Sequence, residues 1–460
     1  MNSKKIIKSR IFLIIISVIS SFCLLALTAV SCDLFQDIVS EETTSTEVAA
    51  TSLEEEEQAA ESEQKTEINI WENIKPEEQI ALLDSIETFE AQNPDIAINS
   101  THMRSEEELI DQFIATSLAG AGPEIVITSI ESGKVIAEAN VLKEISGDLY
   151  YVDIFDGLRE IAAYEGKDYV LPFRSFNLML LYYNKDLISE APSNFDELIS
   201  YCKEVNNPAE DTWGFLLNAR EPDWVIPFVG GYQSWIFDYD RNSITLDSTA
   251  MQQTLEFLLL LYNEEQIMPY EIDYADINNA FIEGRAHMII NGNWASEEYS
   301  EEGINFGVAK IPVPVQGFKN PTPMVDGIGF MFNINYFGKE LEASQKFVDY
   351  LMSDDRQEEW TRITQTFPVL ASIDQSPGVA DDQLFYNMVQ QLKISRGKPP
   401  EEYIRVIRDA IRLNLENVIL GNTSPEDAVA KMQEDAMNLK TGSLEVQDEE
   451  VDIENSVTEQ

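Results

Sequence analysis

A chain of 460 residues is long enough for two or three domains with cores of their own. Its 82 acidic against 31 basic side chains set a formal net charge of −51, which repels nucleic-acid phosphates and anionic headgroups, so no nucleic-acid partner is expected. A hydrophobic share of 44% requires a folded body, while two histidines and three cysteines leave little for a nitrogen–sulfur metal site. No metal and no cofactor is expected.

In chain order, Lys4, Lys5, Lys8 and Arg10 precede an apolar run from Ile11 to Val30, the layout of an export signal. The same run would also span a bilayer as an uncleaved anchor. It closes Leu27-Thr28-Ala29-Val30-Ser31-Cys32, which resembles the lipobox of bacterial lipoproteins, with Ala29 where a leucine usually stands. Residues 1–31 are therefore expected to be a signal peptide. Cys32 is expected to be lipidated and to anchor the chain to the cell membrane from the outside. Residues 32–66, rich in Glu, Ser, Thr and Ala, cannot bury enough apolar surface to order themselves and are expected to form an acidic tether. Residues 441–460, with seven acids and no base, are expected to be a disordered tail. The tether and tail together hold eighteen of the acids, so the body between them is itself strongly acidic. After removal of the signal and lipidation of Cys32, Cys202 is the remaining thiol, and it fits a small packed hydrophobe better than a nucleophile.

The body alternates strand and helix. Glu67–Trp71 alternates as a strand. Pro76 opens a helix with Ile80, Leu83, Ile86 and Phe89 on its apolar stripe, and Asn93-Pro94 stops it. Asp95–Asn99 predicts a second strand. Ser105 with Glu108 predicts a capped helix through Leu109, Phe113, Ile114 and Leu118, ended by Gly120 and Gly122. The apolar strand Pro123–Ile127 follows. Strand–helix–strand–helix–strand predicts a doubly wound parallel sheet, in which ligands bind beyond the carboxyl ends of the strands. Further on, Phe195–Val205 and Thr249–Glu265 read as helices, Trp213–Phe237 as an aromatic-rich loop, Asn305–Pro312 and Gly327–Asn333 as strands, and Glu340–Met352 and Pro400–Leu420 as helices. The expected α/β fold has two lobes joined by a hinge around a ligand cleft. Lobe one takes 67–183, lobe two 184–303, and 304–440 returns to lobe one with C-terminal helices shared by lobe two.

Gly122-Pro123-Glu124-Ile125-Val126-Ile127 with Leu142-Lys143-Glu144-Ile145, then Leu181-Tyr182-Tyr183-Asn184-Lys185-Asp186-Leu187, then Ala280–Met288 with Gly292-Asn293-Trp294, and finally Gly421–Met432 occur in that order. The body thereby resembles bacterial extracellular solute-binding proteins of the maltose-binding type, the ligand-capturing subunits of ABC importers. The resemblance implies a periplasmic-binding-protein-like fold that closes by its hinge on a small molecule. It also implies delivery to the transmembrane subunits of an ABC permease, with the chain acting as a monomer and with no bond chemistry.

Trp294 follows the turn Asn291-Gly292-Asn293 and matches the family position where an aromatic stacks a sugar face. Glu221 and Trp224 align with a sugar-contacting loop that continues toward Tyr232 and Trp235. In lobe one, Ser129 and Glu131 lie just after a strand and Glu131 matches a sugar-binding acid, while Ser132 replaces a basic residue of the maltose binders. Asn177, Asn73, Asp326 and Tyr403 complete the candidate set, with Arg174 as a nearby base. This acid-rich group favours a neutral mono- or oligosaccharide over an anionic ligand. It also admits a polyamine or betaine held by tryptophan and acids. A surface sensor or adhesin of the same fold is a further alternative. An exported glycoside hydrolase would need a defined carboxyl pair that abundance of acids cannot supply.

Overall fold

The computed structural model describes residues 65–146 and 153–442. The expected signal, most of the tether with Cys32, and the tail beyond residue 442 lie outside the described residues.

The alternation around Ile68 and Ile70 forms β1 (Thr66–Glu72), with both isoleucines fully buried. β1 pairs in parallel with β2 (Ile96–His102) on one side and β3 (Ile125–Ser129) on the other. The connecting helices are Pro76–Gln92, begun by its proline, and Glu106–Leu118, where the Ser105 hydroxyl accepts from the Glu108 N–H. The first helix corrects the expected stripe. Ile80 and Leu83 are 67% and 58% exposed, and the core face is carried by Ala81, Leu82, Ser85, Ile86 and Phe89. Leu118 is likewise exposed at the end of the second helix.

β4 (Leu171–Phe176) then enters the same sheet, and the chain crosses to a second sheet at Asn177-Leu178. The boundary therefore falls several residues earlier than Tyr183-Asn184. Asn177 has φ +66°, a left-handed conformation that asparagine tolerates better than most residues. The second sheet has β5 (Met179–Asn184) at its centre, with β6 (Met288–Gly292) and β7 (Phe306–Ala309) antiparallel on either side. β8 (Met324–Phe332) returns to the first sheet, antiparallel to both β3 and β4, and the two-residue β9 (Arg396–Gly397) pairs with its start. The doubly wound parallel arrangement is thus confined to β1–β3. The remaining strands come from a chain that crosses and recrosses between the lobes, and they insert antiparallel except for β9, which lies parallel to β8.

In the second lobe the helices Phe195–Val205, Pro222–Gly231 and Thr249–Leu259, the last continuing as a π-turn through Glu264, pack against one another through aromatic side chains. Phe195 makes edge contacts with Phe215, Phe228 and Phe257 at ring distances of 5.6, 5.7 and 4.8 Å. Cys202 is buried beside them, and burial pushes its thiol up to about 12. Gly214 makes room for it, since a Cβ there would stand 2.9 Å from the sulfur. The expected aromatic loop proves to contain the helix Pro222–Gly231. Its glycines serve close approach: a Cβ on Gly230 would meet the Thr322 side chain at 2.3 Å. After β9 the chain crosses again into the long helix Glu401–Ile419, which packs against Thr249–Leu259 and Pro222–Gly231. Among the described residues no helix is long and apolar enough to cross a membrane, and no group of three or more His, Cys, Asp or Glu is poised to hold a metal.

Candidate functional site

β6 ends in Gly292, and the next residue straps the lobes together. The Asn293 N–H donates to the Leu178 carbonyl (2.9 Å), and its side-chain oxygen accepts from the Leu178 N–H (3.1 Å). Its amide nitrogen donates to the carbonyl of Gln365 (3.4 Å), a residue with φ +56° at the end of the first-lobe helix Asp354–Thr364. With the strand end fixed, the Trp294 indole lies back over Gly292. Any Cβ at 292 would come within 2.0 Å of the ring, so only glycine permits this placement. Trp294 is 44% exposed and donates to the Tyr274 hydroxyl at 3.1 Å. Trp224 supports both from beneath. Its indole meets Trp294 edge-on at 6.5 Å and Tyr274 at 5.8 Å, and its N–H donates to the Ile290 carbonyl at 2.9 Å. Trp224 is only 9% exposed. Its expected role as a stacking plate is therefore corrected to that of a support, since its polar edge is spent on the strand.

Glu221 stands at the start of the helix that carries Trp224, and Pro222 fills the first helical position. Its carboxylate accepts from Arg412 at 2.9 Å, while Asp223 takes a two-pronged contact from Arg408 at 2.8 Å on each oxygen. Burial lowers the Arg408 pKa, but the Asp223 carboxylate outweighs it and the net shift is upward. Both arginines lie one turn apart on the long helix and clamp it to the aromatic platform.

The first-lobe candidates gather around Lys398. Its ammonium reaches Asp326 at 2.8 Å, Glu401 at 3.3 Å and Glu131 at 3.5 Å. Burial works against the charged ammonium, yet the three carboxylates more than offset this and raise its pKa. Glu131 also accepts the Glu401 N–H at 2.5 Å, a carboxylate at the start of the long helix. Its own pKa is raised, chiefly by burial. Ser129 and Ser132 both donate to the carboxylate of Glu106. Burial disfavours that charge, but the hydroxyls of Ser129, Ser132 and Thr128 win and leave its pKa below the ordinary value. Ser129 thus faces an internal network.

The remaining candidates separate. Asn177 is exposed at the crossover. Asn73 is half-buried and ties β1 to its neighbours, donating its side chain to the Met103 carbonyl (2.8 Å) and its N–H to that of Ile127 (3.2 Å). Three aromatics leave the set because they are buried. Tyr232 donates to the Val315 carbonyl at 2.8 Å. Trp235 has the Arg396 guanidinium 5.2 Å over its ring. Tyr403 pairs with Phe237 at 4.8 Å, accepts from Asn242, and carries the Lys440 ammonium 3.5 Å over its ring. Arg174 is fully buried, spending its donors on Gln357, Thr361 and Thr366, and desolvation lowers its pKa to about 9. It does not face a ligand.

Sequence reasoning missed Tyr274, Lys398, Arg408 and Arg412. The two arginines carried a usable signal, since residues four apart share a helix face. Among the described residues, cavities of about 640, 570 and 330 Å³ are present. The first is lined by first-lobe residues such as Leu142, Tyr169 and Leu341. The second lies between the lobes beside Trp235 and Arg396, and the third is lined by second-lobe residues such as Arg220, Tyr270 and Asp273 together with Glu416 of the long helix.

An exposed aromatic face, buttressed by two further rings and bordered by clamped acids at a lobe boundary, suits a ligand with one apolar face and a hydroxyl rim. The profile of the family described as bacterial extracellular solute-binding protein matches residues 84–387. The chain belongs to that family. A maltotriose-binding protein from Pyrococcus abyssi is 27% identical over 335 residues, covering 70% of this chain and 71% of that one. A maltooligosaccharide ABC transporter solute-binding lipoprotein from Streptococcus pneumoniae is 25% identical, covering 63% of this chain and 72% of its own. Among solved structures, the maltose/maltodextrin-binding domain from Bdellovibrio bacteriovorus bound to maltotriose is similar at a TM-score of 0.56 and 27% identity. That match covers 81% of this chain and 99% of the other. The two-lobed fold of this solute-binding protein is the one those relatives share. Members of the family are binding proteins and not enzymes.

Proposed function

We propose that this solute-binding protein captures a neutral oligosaccharide between its lobes and presents it to the permease of an ABC importer, anchored to the outside of the cell membrane through lipidated Cys32. The observation that carries the reading is the Trp294 indole, laid exposed over Gly292 and supported by Tyr274 and Trp224. A pyranose packs its C–H face on such a ring and turns its hydroxyls toward acids and amides. The relatives' named ligands, maltotriose and maltooligosaccharides, support a glucan-like sugar, and the lipoprotein relative supports the anchor. A polyamine or betaine is disfavoured because the acids expected to cage a cation already have one: Lys398 serves Asp326, Glu131 and Glu401, and Arg412 serves Glu221.

A calorimetric titration of the protein with glucose, maltose, maltotriose, maltotetraose, galactose-based oligosaccharides and putrescine tests this. Saturable heat with one sugar class is expected. Heat only with putrescine would overturn the sugar reading, and silence with every probe from a cooperatively melting sample would overturn capture of a small solute of these classes.

A further inference from the structure

We propose that Arg174 is a positioning residue for ligand capture: from inside the first lobe it holds the turn at Gln365, and through Gln365 and Asn293 it fixes the pivot that carries Trp294. The inference deepens the capture reading above and rests on it.

Arg174 is fully buried on β4, three residues before Asn177 at the crossover. Desolvating a guanidinium is costly, and apolar replacements of buried ions are often neutral or stabilising, so stability alone does not account for a charge here. Its hydrogen bonds go to neutral groups that converge on one stretch of chain. Nη1 donates to the backbone carbonyl (3.0 Å) and side-chain oxygen (3.3 Å) of Gln357. Nη2 donates to the Thr361 hydroxyl and to the Thr366 carbonyl (2.6 Å), and Nε to the Thr366 hydroxyl (2.9 Å). Arginine only donates, so the Thr366 hydroxyl accepts from it and gives its own proton to Thr364 (2.6 Å), which donates to the Trp360 carbonyl (2.8 Å). The strand itself joins in, since Ser175 and Phe367 exchange both backbone hydrogen bonds at 3.0 and 2.7 Å.

The stretch held in this way is the end of the helix Asp354–Thr364, where Gln365 takes φ +56°. Glycine or asparagine is the usual residue in such a left-handed cap, so a glutamine there depends on its surroundings. Arg174 grips Thr361 on one side of it and Thr366 on the other, and the Gln365 carbonyl between them accepts from the Asn293 side chain at 3.4 Å. That bond lies near the limit of hydrogen-bond reach, so a shift of roughly 0.3 Å breaks it. Asn293 also holds the crossover through its two bonds to Leu178, and the next residue in the chain is Trp294. A continuous path thus runs from a buried charge of the first lobe to the pivot and the aromatic platform.

The test uses Thr361→Val and Thr366→Val, each of which removes one acceptor and keeps the arginine, with Arg174→Met as the full deletion and Asn293→Ala as the break at the pivot. Amide hydrogen exchange is followed residue by residue on the ligand-free protein. In the threonine variants, exchange at Asn293 and Leu178 should speed up about tenfold while Ile68 and Ile70 of β1 stay within about twofold. Affinity for maltotriose should fall about fivefold in the same variants and should fall no further when they are placed in the Asn293→Ala background. Equal acceleration at all of these amides, or none at Asn293 and Leu178, would overturn the inference and leave Arg174 a part of the first-lobe core. Full additivity with Asn293→Ala would overturn it as well. The exchange measurement needs no ligand, so it decides the role of Arg174 even if maltotriose fails to bind, a failure that would count against the sugar reading alone. If Arg174→Met does not fold, the two threonine variants carry the test.

Discussion

The two halves of the candidate site are built on opposite principles. On the first lobe, Glu131 and Asp326 share Lys398 with Glu401 at the start of the long helix, and Ser129 and Ser132 serve Glu106, so each acid is answered from within the chain. On the second lobe the acids are clamped too, but an aromatic face is left open: Trp294 is 44% exposed above two rings that are not. On the proposed reading the polar half would act through position and preorganisation, and the aromatic half through surface left open for a ligand. The expectation that Glu131 and Asp326 face a sugar is thereby sharpened, because in the structure both already hold Lys398. Glu131 additionally ties the first lobe to the long helix that Arg408 and Arg412 fasten to the second.

Substitutions that separate support from surface test this contrast most strongly. Trp224→Ala should cost about 3–5 kcal/mol of stability, as removal of a packed tryptophan does, read from denaturant unfolding without ligand. A loss below about 1 kcal/mol would mean that Trp224 is not the buttress. Lys398→Ala leaves Asp326 and Glu131 without their cation. With Lys398 17% exposed, the expected loss is about 3 kcal/mol, the low end for breaking a buried ion pair. Because both the Glu131 and Lys398 pKa values are raised, the signs must be followed separately. The lysine's contribution is fully present below its ordinary value of 10.5 and is lost as pH rises through its higher folded value. The raised Glu131 instead favours the fold as pH falls through its folded value, because the folded state then binds the proton more readily. The Lys398→Ala penalty should accordingly shrink on acidification, and thermal melts from about pH 7 to pH 4 would show it.

Trp294→Ala should weaken ligand binding by about 2 kcal/mol, some thirtyfold, while the melting temperature of the empty protein stays within a few degrees. A large loss of ligand-free stability would move Trp294 to the supporting half. The smallest effect belongs to Glu106, whose pKa is lowered on folding. Its stabilisation is present above the ordinary 4.5 and is lost as pH falls through the folded value. Glu106→Gln should therefore cost about 1 kcal/mol at neutral pH and progressively less below about pH 4.5, and a penalty unchanged over that range would remove the carboxylate from the Ser129–Ser132 network.

Much of the first lobe was legible because its signals are local. Alternation marked β1, Pro76 and Ser105 marked helix starts, and Gly120 lay past a helix end. The misplaced stripe of Ile80 and Leu83 has a geometric cause. A row of every third residue drifts by roughly 60° per step around a helix of 3.6 residues per turn, so a row anchored correctly at Ile86 and Phe89 leaves the core face at its beginning. The direction of β8 and the antiparallel second sheet were not legible, because pairing depends on where a recrossing chain inserts and not on its own pattern. At the site, Trp294 could be singled out from the turn before it, but its partner Tyr274 comes from a helix twenty residues upstream. Tyr232, Trp235 and Tyr403 were misjudged for the complementary reason: an aromatic residue carries the same sequence signal whether its face meets solvent or another side chain.

Cys202 has a practical consequence. It is the sole cysteine among the described residues, it is buried, and its thiolate is suppressed by a pKa of about 12. The folded body is therefore expected to react only slowly with maleimides. A single cysteine introduced on each lobe could be labelled selectively with a dye pair, and the fluorescence transfer between them would report lobe closure in real time, making the receptor its own optical gauge of sugar concentration.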